Sequence, residues 1–363
     1  MIRLLVADDS ALMRRLLVDL FQAEGDFEVV VARDGEEALN LLAEVRPDVI
    51  TLDVQMPGMN GLACLDRIMV LRPTPVVMVS SVTRQGADET IRALELGAVD
   101  VVPKPGGAVS LKMDELGPHL VAVVRAAVGA KLSNTRRLAE RVRARAGASR
   151  SLRTRIRSPA ATSAGAGAAP SPISGLVIVG ASTGGPAALD ALLEPLPADF
   201  PWPIVIAQHM PATFTAALAR RLDSLSNLHV MEVSQATALE AGCAYIGRGD
   251  ADLIIGARAC GPVALAAPAS EAFRWHPSVD RLTDSALAHV EPRRLMGVLM
   301  TGMGNDGAAA MSRLRAAGGR TIAESEESAV VWGMPGELVK AGGAEFVLPL
   351  HRIAAKLLQL VSA

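Results

Sequence analysis

Two groups of side chains in this sequence could do chemistry. In the first, Asp8-Asp9, Asp53, Ser80 and Lys104 fall where short apolar runs end. Asp8 and Asp9 follow LLVA and Asp53 follows VITL, so three carboxylates should meet at one edge of a sheet. Such acids repel one another unless a hard divalent cation sits among them, and oxygen-only ligation suits Mg²⁺. A carboxylate beside Mg²⁺ is a competent phosphoryl acceptor. Lys104, in VVPKP, can pair with that carboxylate and later with the phosphate, which the Ser80 hydroxyl can follow. Taken singly, an acidic pair after a strand is more often a cap or a solvated turn; the joint order and spacing reverse those odds.

The second group is Ser182 in GASTGG, His209 in AQHMP and Asp306 in TGMGNDG. GLVIVGASTGGP predicts a strand, a tight Gly-rich turn and a helix starting near Gly185 and Pro186. A serine at such a turn exposes its Oγ, with the next N–H, that of Thr183, directed at the same space. GASTGG alone would equally serve as a phosphate cradle or a close-packed turn, and it lacks the GxGxxG of a dinucleotide site. Of the six histidines (His119, His209, His229, His276, His289 and His351), His209 stands at the end of the next strand-like run, PIVIAQ, where it can act as base. Asp306 can accept the second imidazole N–H, or instead cap the helix beginning at Gly307-Ala308. The chain order Ser–His–Asp differs from the Ser–Asp–His order of α/β-hydrolases.

The elements that must position these groups are legible as alternating runs. From Ile2 to about Val128, IRLLVA, FEVVVA, DVITLD, PVVMVSS and VDVVPKP alternate with ALMRRLLVDLFQ, GEEALNLLAEV and further helix-like stretches, which predicts a doubly wound, flavodoxin-like parallel sheet. A second α/β pattern, Rossmann-like, runs from residue 174 to 363 through GLVIVGAS, PWPIVIAQHM, ADLIIGA, LMGVLMTGM and EFVLPL. Residues 129–173 read as a linker between domains 1–128 and 174–363. Its first part, 131–158, holds ten Lys or Arg against one acid, and SPAATSAGAGAAPSPIS follows. The C-terminal HRIAAKLLQLVSA predicts an amphipathic closing helix.

At 363 residues, two cores are the natural expectation. A net charge of −2 with 20% charged residues argues against nucleic acid as a partner of the whole chain. Three cysteines with no CxxC spacing argue against a disulfide framework or a zinc site. No uncharged apolar stretch nears the roughly 18 residues of a membrane span. A soluble cytoplasmic protein is expected.

VADDS, LDVQMPGMNGL, MVSS and ELGAVDVVPKP resemble the receiver domain of two-component response regulators, over roughly residues 1–125. GASTGG, AQHMP, PSVD and TGMGNDGA, in that order, resemble the catalytic domain of chemotaxis protein-glutamate methylesterases, the CheB family. The first resemblance implies that Asp53 accepts a phosphoryl group from a chemotaxis histidine kinase. It implies that Asp8, Asp9, Asp53 and the backbone carbonyl of Gln55 hold Mg²⁺, and that Ser80 and Lys104 sense the phosphate. Gln55 and Asn60 stand where relatives often have Glu and Asp, and Val101 stands where many receivers place a switching aromatic. The second resemblance implies that Ser182, His209 and Asp306 hydrolyse glutamate γ-methyl esters on methyl-accepting chemoreceptors and deamidate receptor glutamines. The backbone N–H groups of Thr183 and Met303 would hold the oxyanion, with no cofactor for that step. Trp332, before Gly333-Met334-Pro335, would line the site or simply pack.

The family resemblance further implies a receiver that covers the catalytic cleft until Asp53 is phosphorylated, and recruitment to receptor clusters. The linker's positive charge could steer the chain to acidic receptor helices or an anionic membrane surface. Two rivals stand beside this reading. A DNA-binding regulator would need a basic recognition helix, which residues 175–363 do not offer; an adaptor with an inactive hydrolase domain would keep the motifs without turnover.

Overall fold

The computed structural model describes residues 1–80, 84–104, 109–130, 173–259 and 261–362. The first unit runs β1 (Ile2–Ala7), α1 (Ala11–Ala23), β2 (Phe27–Ala32), α2 (Gly35–Val45), β3 (Val49–Asp53), α3 (Gly61–Leu71), β4 (Val76–Ser80), α4 (Arg84–Leu96), β5 (Asp100–Pro103) and α5 (Val109–Val128). The strands are all parallel, in the order β2-β1-β3-β4-β5. Val49–Asp53 and Val76–Ser80 are buried along their whole length, as strands covered by helices on both faces must be. Because the chain steps from β1 to β2 on one side and returns to β3 on the other, a crevice opens beyond the ends of β1 and β3. The acids following those strands therefore share it.

Local chemistry keeps them there. Ser10, not Asp8 or Asp9, caps α1 by accepting from the Met13 N–H, which leaves the acidic pair facing the crevice edge. Asn60 caps α3 by accepting from the Ala63 N–H. A Cβ on Gly61 would lie 2.0 Å from the Asp53 carbonyl oxygen, so α3 starts against the end of β3 only because residue 61 has no side chain.

The second unit runs β6 (Leu176–Ala181), α6 (Gly185–Leu193), β7 (Ile204–Gln208), α7 (Ala212–Leu225), β8 (His229–Val233), β9 (Thr237–Ala238), β10 (Cys243–Gly247), β11 (Ala251–Arg258), β12 (Gly261–Pro268), α8 (Val279–His289), β13 (Leu295–Leu299), α9 (Ala308–Ala316), β14 (Arg320–Glu324), α10 (Met334–Lys340), β15 (Phe346–Leu348) and α11 (Leu350–Val361). Seven strands form a parallel sheet in the order β15-β14-β13-β6-β7-β10-β8. Its switch point lies between β6 and β13, so residues after β6, β7 and β13 open onto one crevice.

One run departs from the sequence expectation. ADLIIGA is not a strand of this sheet: β11 pairs antiparallel with β12, and β12 with β9, in a separate three-stranded sheet. Arg258 pairs with Gly261 across a connection of two residues, and so short a loop can only turn the chain back on itself.

The two units pack on each other. One buried apolar cluster contains Ile91 and Leu94 of α4 together with Leu218 and Leu222 of α7. Met303 and Val330 of the second unit pack against the receiver-side cluster that holds Val102 and Leu120. Arg221 ties the same seam, its guanidinium 2.9 Å from Glu95 of α4 and 2.6 Å from Asp190 of α6. Among the described residues no helix is long and apolar enough to cross a membrane. The basic run and the Ala/Gly/Pro/Ser stretch of the linker lie outside the described residues.

Candidate active site

The strand ends after β6 and β7 are locked side by side, with the His209 N–H donating to the Ala181 carbonyl at 2.9 Å. Ser182 begins a turn closed by the Gly185 N–H on the Ser182 carbonyl at 2.7 Å. Gly184 completes that turn at φ 78°, left-handed backbone that a side chain would strain. Beneath it Gln208, buried at the end of β7, donates from Nε2 to the carbonyls of Ser182 and His209, 3.0 Å each. The backbones carrying the serine and the histidine are thus held by one carboxamide.

Asp306 reaches the same crevice from the loop after β13. Its Oδ2 lies 2.8 Å from His209 Nε2. The carboxylate also accepts from Ser278 Oγ at 3.0 Å and from the backbone N–H groups of Val279 and Asp280 at 2.7 and 3.0 Å. Asp306 therefore does engage a helix N-terminus, but that of α8 and not of the adjacent α9, whose N-cap is Gly307. Burial alone would push the Asp306 carboxyl up; the His209 hydrogen bond and charge and the two backbone donors outweigh it and hold the group below the usual carboxylate range. The Asp252 carboxylate supports this corner from behind, accepting from the Ser278 N–H and His276 Nδ1 and pairing with Arg281.

With Nε2 committed to Asp306, the other imidazole nitrogen, Nδ1, is buried and has no hydrogen-bond partner among the described residues. Trp275 lies flat on the His209 ring, centroids 5.2 Å apart and planes 11° from parallel, which fixes the imidazole plane. Ser182, Thr183, His209, Trp275 and Met303 line a cavity of about 280 Å³. Neither the Thr183 nor the Met303 backbone N–H is taken up by a hydrogen bond among the described residues.

The first unit contributes the rest of the cavity wall: Asp100, Val101 and His119. Asp100 Oδ2 accepts from Thr183 Oγ1 at 2.6 Å, and Oδ1 from the Val101 N–H at 2.7 Å. Burial pushes the Asp100 carboxyl up despite these bonds, and burial pushes the His119 imidazole down.

In the other crevice, ligand oxygens of Asp8, Asp9 and Asp53 all lie within 4.8 Å of one another. Lys104 Nζ stands 2.6 Å from Asp53 Oδ2 and 2.8 Å from Asp8 Oδ2. Burial raises the Asp53 carboxyl, and the neighbouring Asp8 adds to the rise while Lys104 opposes it. Burial would lower the Lys104 ammonium, but pairing with Asp53 and Asp8 holds it above its ordinary value. An all-oxygen cluster with one balancing cation fits a hard divalent ion. Gln55 donates its N–H to Asp53 Oδ1 at 3.2 Å and shares a neighbouring hollow with Asp9. Ser80 is fully buried, and its carbonyl accepts from the Lys104 N–H at 2.7 Å.

Sequence reasoning named the residues that follow the sheet strands and missed Trp275 and the residues at the seam. The aromatic at the cavity is Trp275; Trp332 instead donates from Nε1 to the Glu324 carbonyl. Trp275 precedes the HPSVD segment that supplies the donors to Asp306, the one signal that pointed to it. Nothing in the sequence pairs Asp100 with Thr183, since they belong to different units.

The protein-family model described as CheB methylesterase matches residues 177–357, and that of the response regulator receiver domain matches 4–113. A protein-glutamate methylesterase/protein-glutamine glutaminase of Rhodopseudomonas palustris (strain BisB18) is 57% identical over 359 residues, 99% of this chain and 98% of its own length. A homologue of the same name from Rhodospirillum rubrum is 50% identical over 98% of this chain and 95% of its own. The crystal structure of the Thermotoga maritima CheB methylesterase catalytic domain is 38% identical, covers 51% of this chain and 98% of its own, and has a TM-score of 0.49.

Proposed function

The chain belongs to the CheB methylesterase family with a response-regulator receiver domain, and on that premise we propose how its residues carry out the family's activity. It is a protein-glutamate methylesterase and protein-glutamine glutaminase, regulated by phosphorylation and serving chemotaxis. The observation that carries the mechanism is that Ser182 and His209 line one cavity while Asp306 holds His209 Nε2, which leaves Nδ1 without a hydrogen-bond partner among the described residues.

Ser182 Oγ attacks the side-chain carbonyl carbon of a receptor methyl glutamate or glutamine while His209 Nδ1 takes the hydroxyl proton. The N–H groups of Thr183 and Met303 receive the oxyanion of the tetrahedral intermediate. Its collapse breaks the bond to methoxide or amide, which leaves as methanol or ammonia with the proton from His209. Water then attacks the Ser182 ester, His209 takes its proton, and collapse returns that proton to Ser182 Oγ and leaves a glutamate carboxylate. Asp306 keeps the imidazole oriented and offsets its positive charge in both halves.

Asp53 is the phosphoacceptor, and a chemotaxis histidine kinase is the donor. Asp8, Asp9 and Asp53, with the backbone carbonyl of Gln55, would hold Mg²⁺, whose charge when bound offsets the oxygens of the incoming phosphoryl group. Lys104 exchanges its bond to Asp53 for one to the phosphate, and Ser80 follows. The receiver walls the cavity through Asp100, Val101 and His119, so this arrangement is the closed one and phosphorylation opens it. The chain works in the cytoplasm beside receptor clusters, and the basic linker contributes electrostatic attraction there.

The test is methanol release from methylated receptor membranes, with and without a small phosphodonor and Mg²⁺. Release should rise with the phosphodonor and fall roughly a thousandfold or more in Ser182→Ala. No release from the native chain on receptors of its own cell would favour the adaptor, and release indifferent to Ser182 would reject the assigned nucleophile.

A further inference from the structure

We propose that the Thr183 hydroxyl is the carboxyl-recognition group of the catalytic cavity and that the receiver's Asp100 is its tethered occupant, a built-in analogue of the glutamate product. The proposal rests on the reading of the cavity as the ester-hydrolysis site. It names the group that closes the site and the subsite that group fills.

The chemistry of the contact carries it. Asp100 presents the functional group the reaction generates, a side-chain carboxylate one methylene shorter than glutamate. Its Oδ2 takes the hydrogen of Thr183 Oγ1 at 2.6 Å, in the residue next to the nucleophile. Its Oδ1 is held at 2.7 Å by the Val101 N–H of its own strand, so both oxygens are anchored, one by each domain. An anchor serving only to join domains could have lain anywhere along the seam, as the Arg221 bridge does. This one lies in the wall of the cavity that holds Ser182 and His209. His119 closes the wall beside it, its ring edge-on to Trp275 at 6.1 Å, while the opposite role of Trp275 is to lie on His209.

The position of Asp100 in the receiver also couples the contact to phosphorylation. Asp100 opens β5, and Lys104, paired with Asp53 and Asp8, directly follows the same four-residue strand. The two lie about 13 Å apart at ~3.3 Å per extended residue. The strand is registered on β4 from Val77↔Asp100 to Ser80↔Pro103. A shift of Lys104 and Ser80 toward a phosphate therefore acts on the two strands that set the carboxylate's place.

The experiment uses the full chain in two arms. In the first, a fluorophosphonate labels Ser182 and intact mass reads the rate, with no receptor present. Unphosphorylated Asp100→Ala should label about tenfold or more faster than the unphosphorylated native chain, while accepting phosphoryl on Asp53 as the native chain does. Asp100→Asn, which keeps the shape and weakens the acceptor, should fall between and serves if the alanine variant melts early. In the second arm, N-acetyl-L-glutamate competes with methylated receptors for the phosphorylated chain. Thr183→Val should weaken that inhibition about tenfold, whereas a mere domain anchor would leave it unchanged. Equal labelling of Asp100→Ala and native chain, or undiminished inhibition of Thr183→Val, would overturn the proposal. Failure of the phosphorylated native chain to release methanol would instead sink the hydrolase reading, which the labelling arm does not need.

Discussion

At the scale of single residues, Asp306 shows how a carboxylate is kept charged in a buried site. Four donors surround it, two of them first-turn N–H groups of α8 that lie at the positive end of a helix dipole. A carboxyl whose folded pKa is depressed contributes stability that is present above its unfolded value, about 4, and lost as pH falls through the folded value. Urea midpoints of native chain and Asp306→Asn should therefore differ at pH 5 and converge as pH falls below about 4. The same variant should lower kcat roughly 10³- to 10⁴-fold with receptor KM little changed, read from methanol release, because the imidazole loses its orienting charge. Ser182, His209 and Asp306, the proposed nucleophile, base and orienting carboxylate, were singled out because each follows an apolar run, and the fold brings them to one crevice. Which donors Asp306 meets was not legible, since sequence proximity offers α9 whereas the fold delivers the start of α8, contacts 26 to 28 residues away.

At the scale of elements, the site depends on two strand ends and the turn between them. A Cβ on Gly185 would meet Gln208 Oε1 at 2.0 Å, and Gln208 is the carboxamide that holds the Ser182 and His209 carbonyls. Gly185→Ala should cost about 1–3 kcal/mol in chemical unfolding, as overpacking does, and should lower kcat in the same preparation. The five strands of the first sheet and β6, β7, β13 and β15 of the second were legible from their apolar runs, whereas β8, β10 and β14 were not singled out. β11 was misassigned because an apolar run does not declare its partner; its burial alternates on one stretch and its mate arrives after a two-residue turn, a relation carried by the turn and not by the run.

At the scale of the molecule, the proposed closed state depends on the seam between the units. Arg221 has 11% of its side chain exposed and bridges two acids, one from each unit, so removing it takes a shielded cation out of the seam. Arg220 and Asp88 meet at 3.0 Å with side chains 65% and 72% exposed, a pair water screens heavily. Arg221→Ala should thus raise unphosphorylated methanol release several-fold, and Arg220→Ala should change it less than about twofold. The two-domain plan was readable from motif order and a covering receiver was what the family resemblance implied, but the docking residues were not legible, because a contact between domains leaves no periodicity in either. The indole stacked on His209 carries this state in its photophysics. Trp275 also has the Arg274 guanidinium over it, 5.2 Å from the ring centroid, and the receiver's His119 at its edge. Replacing the other two tryptophans, Trp202 and Trp332, with phenylalanine would leave it the single indole. Emission from the remaining one would then report domain separation and imidazole charge in real time, an optical gauge that needs no substrate.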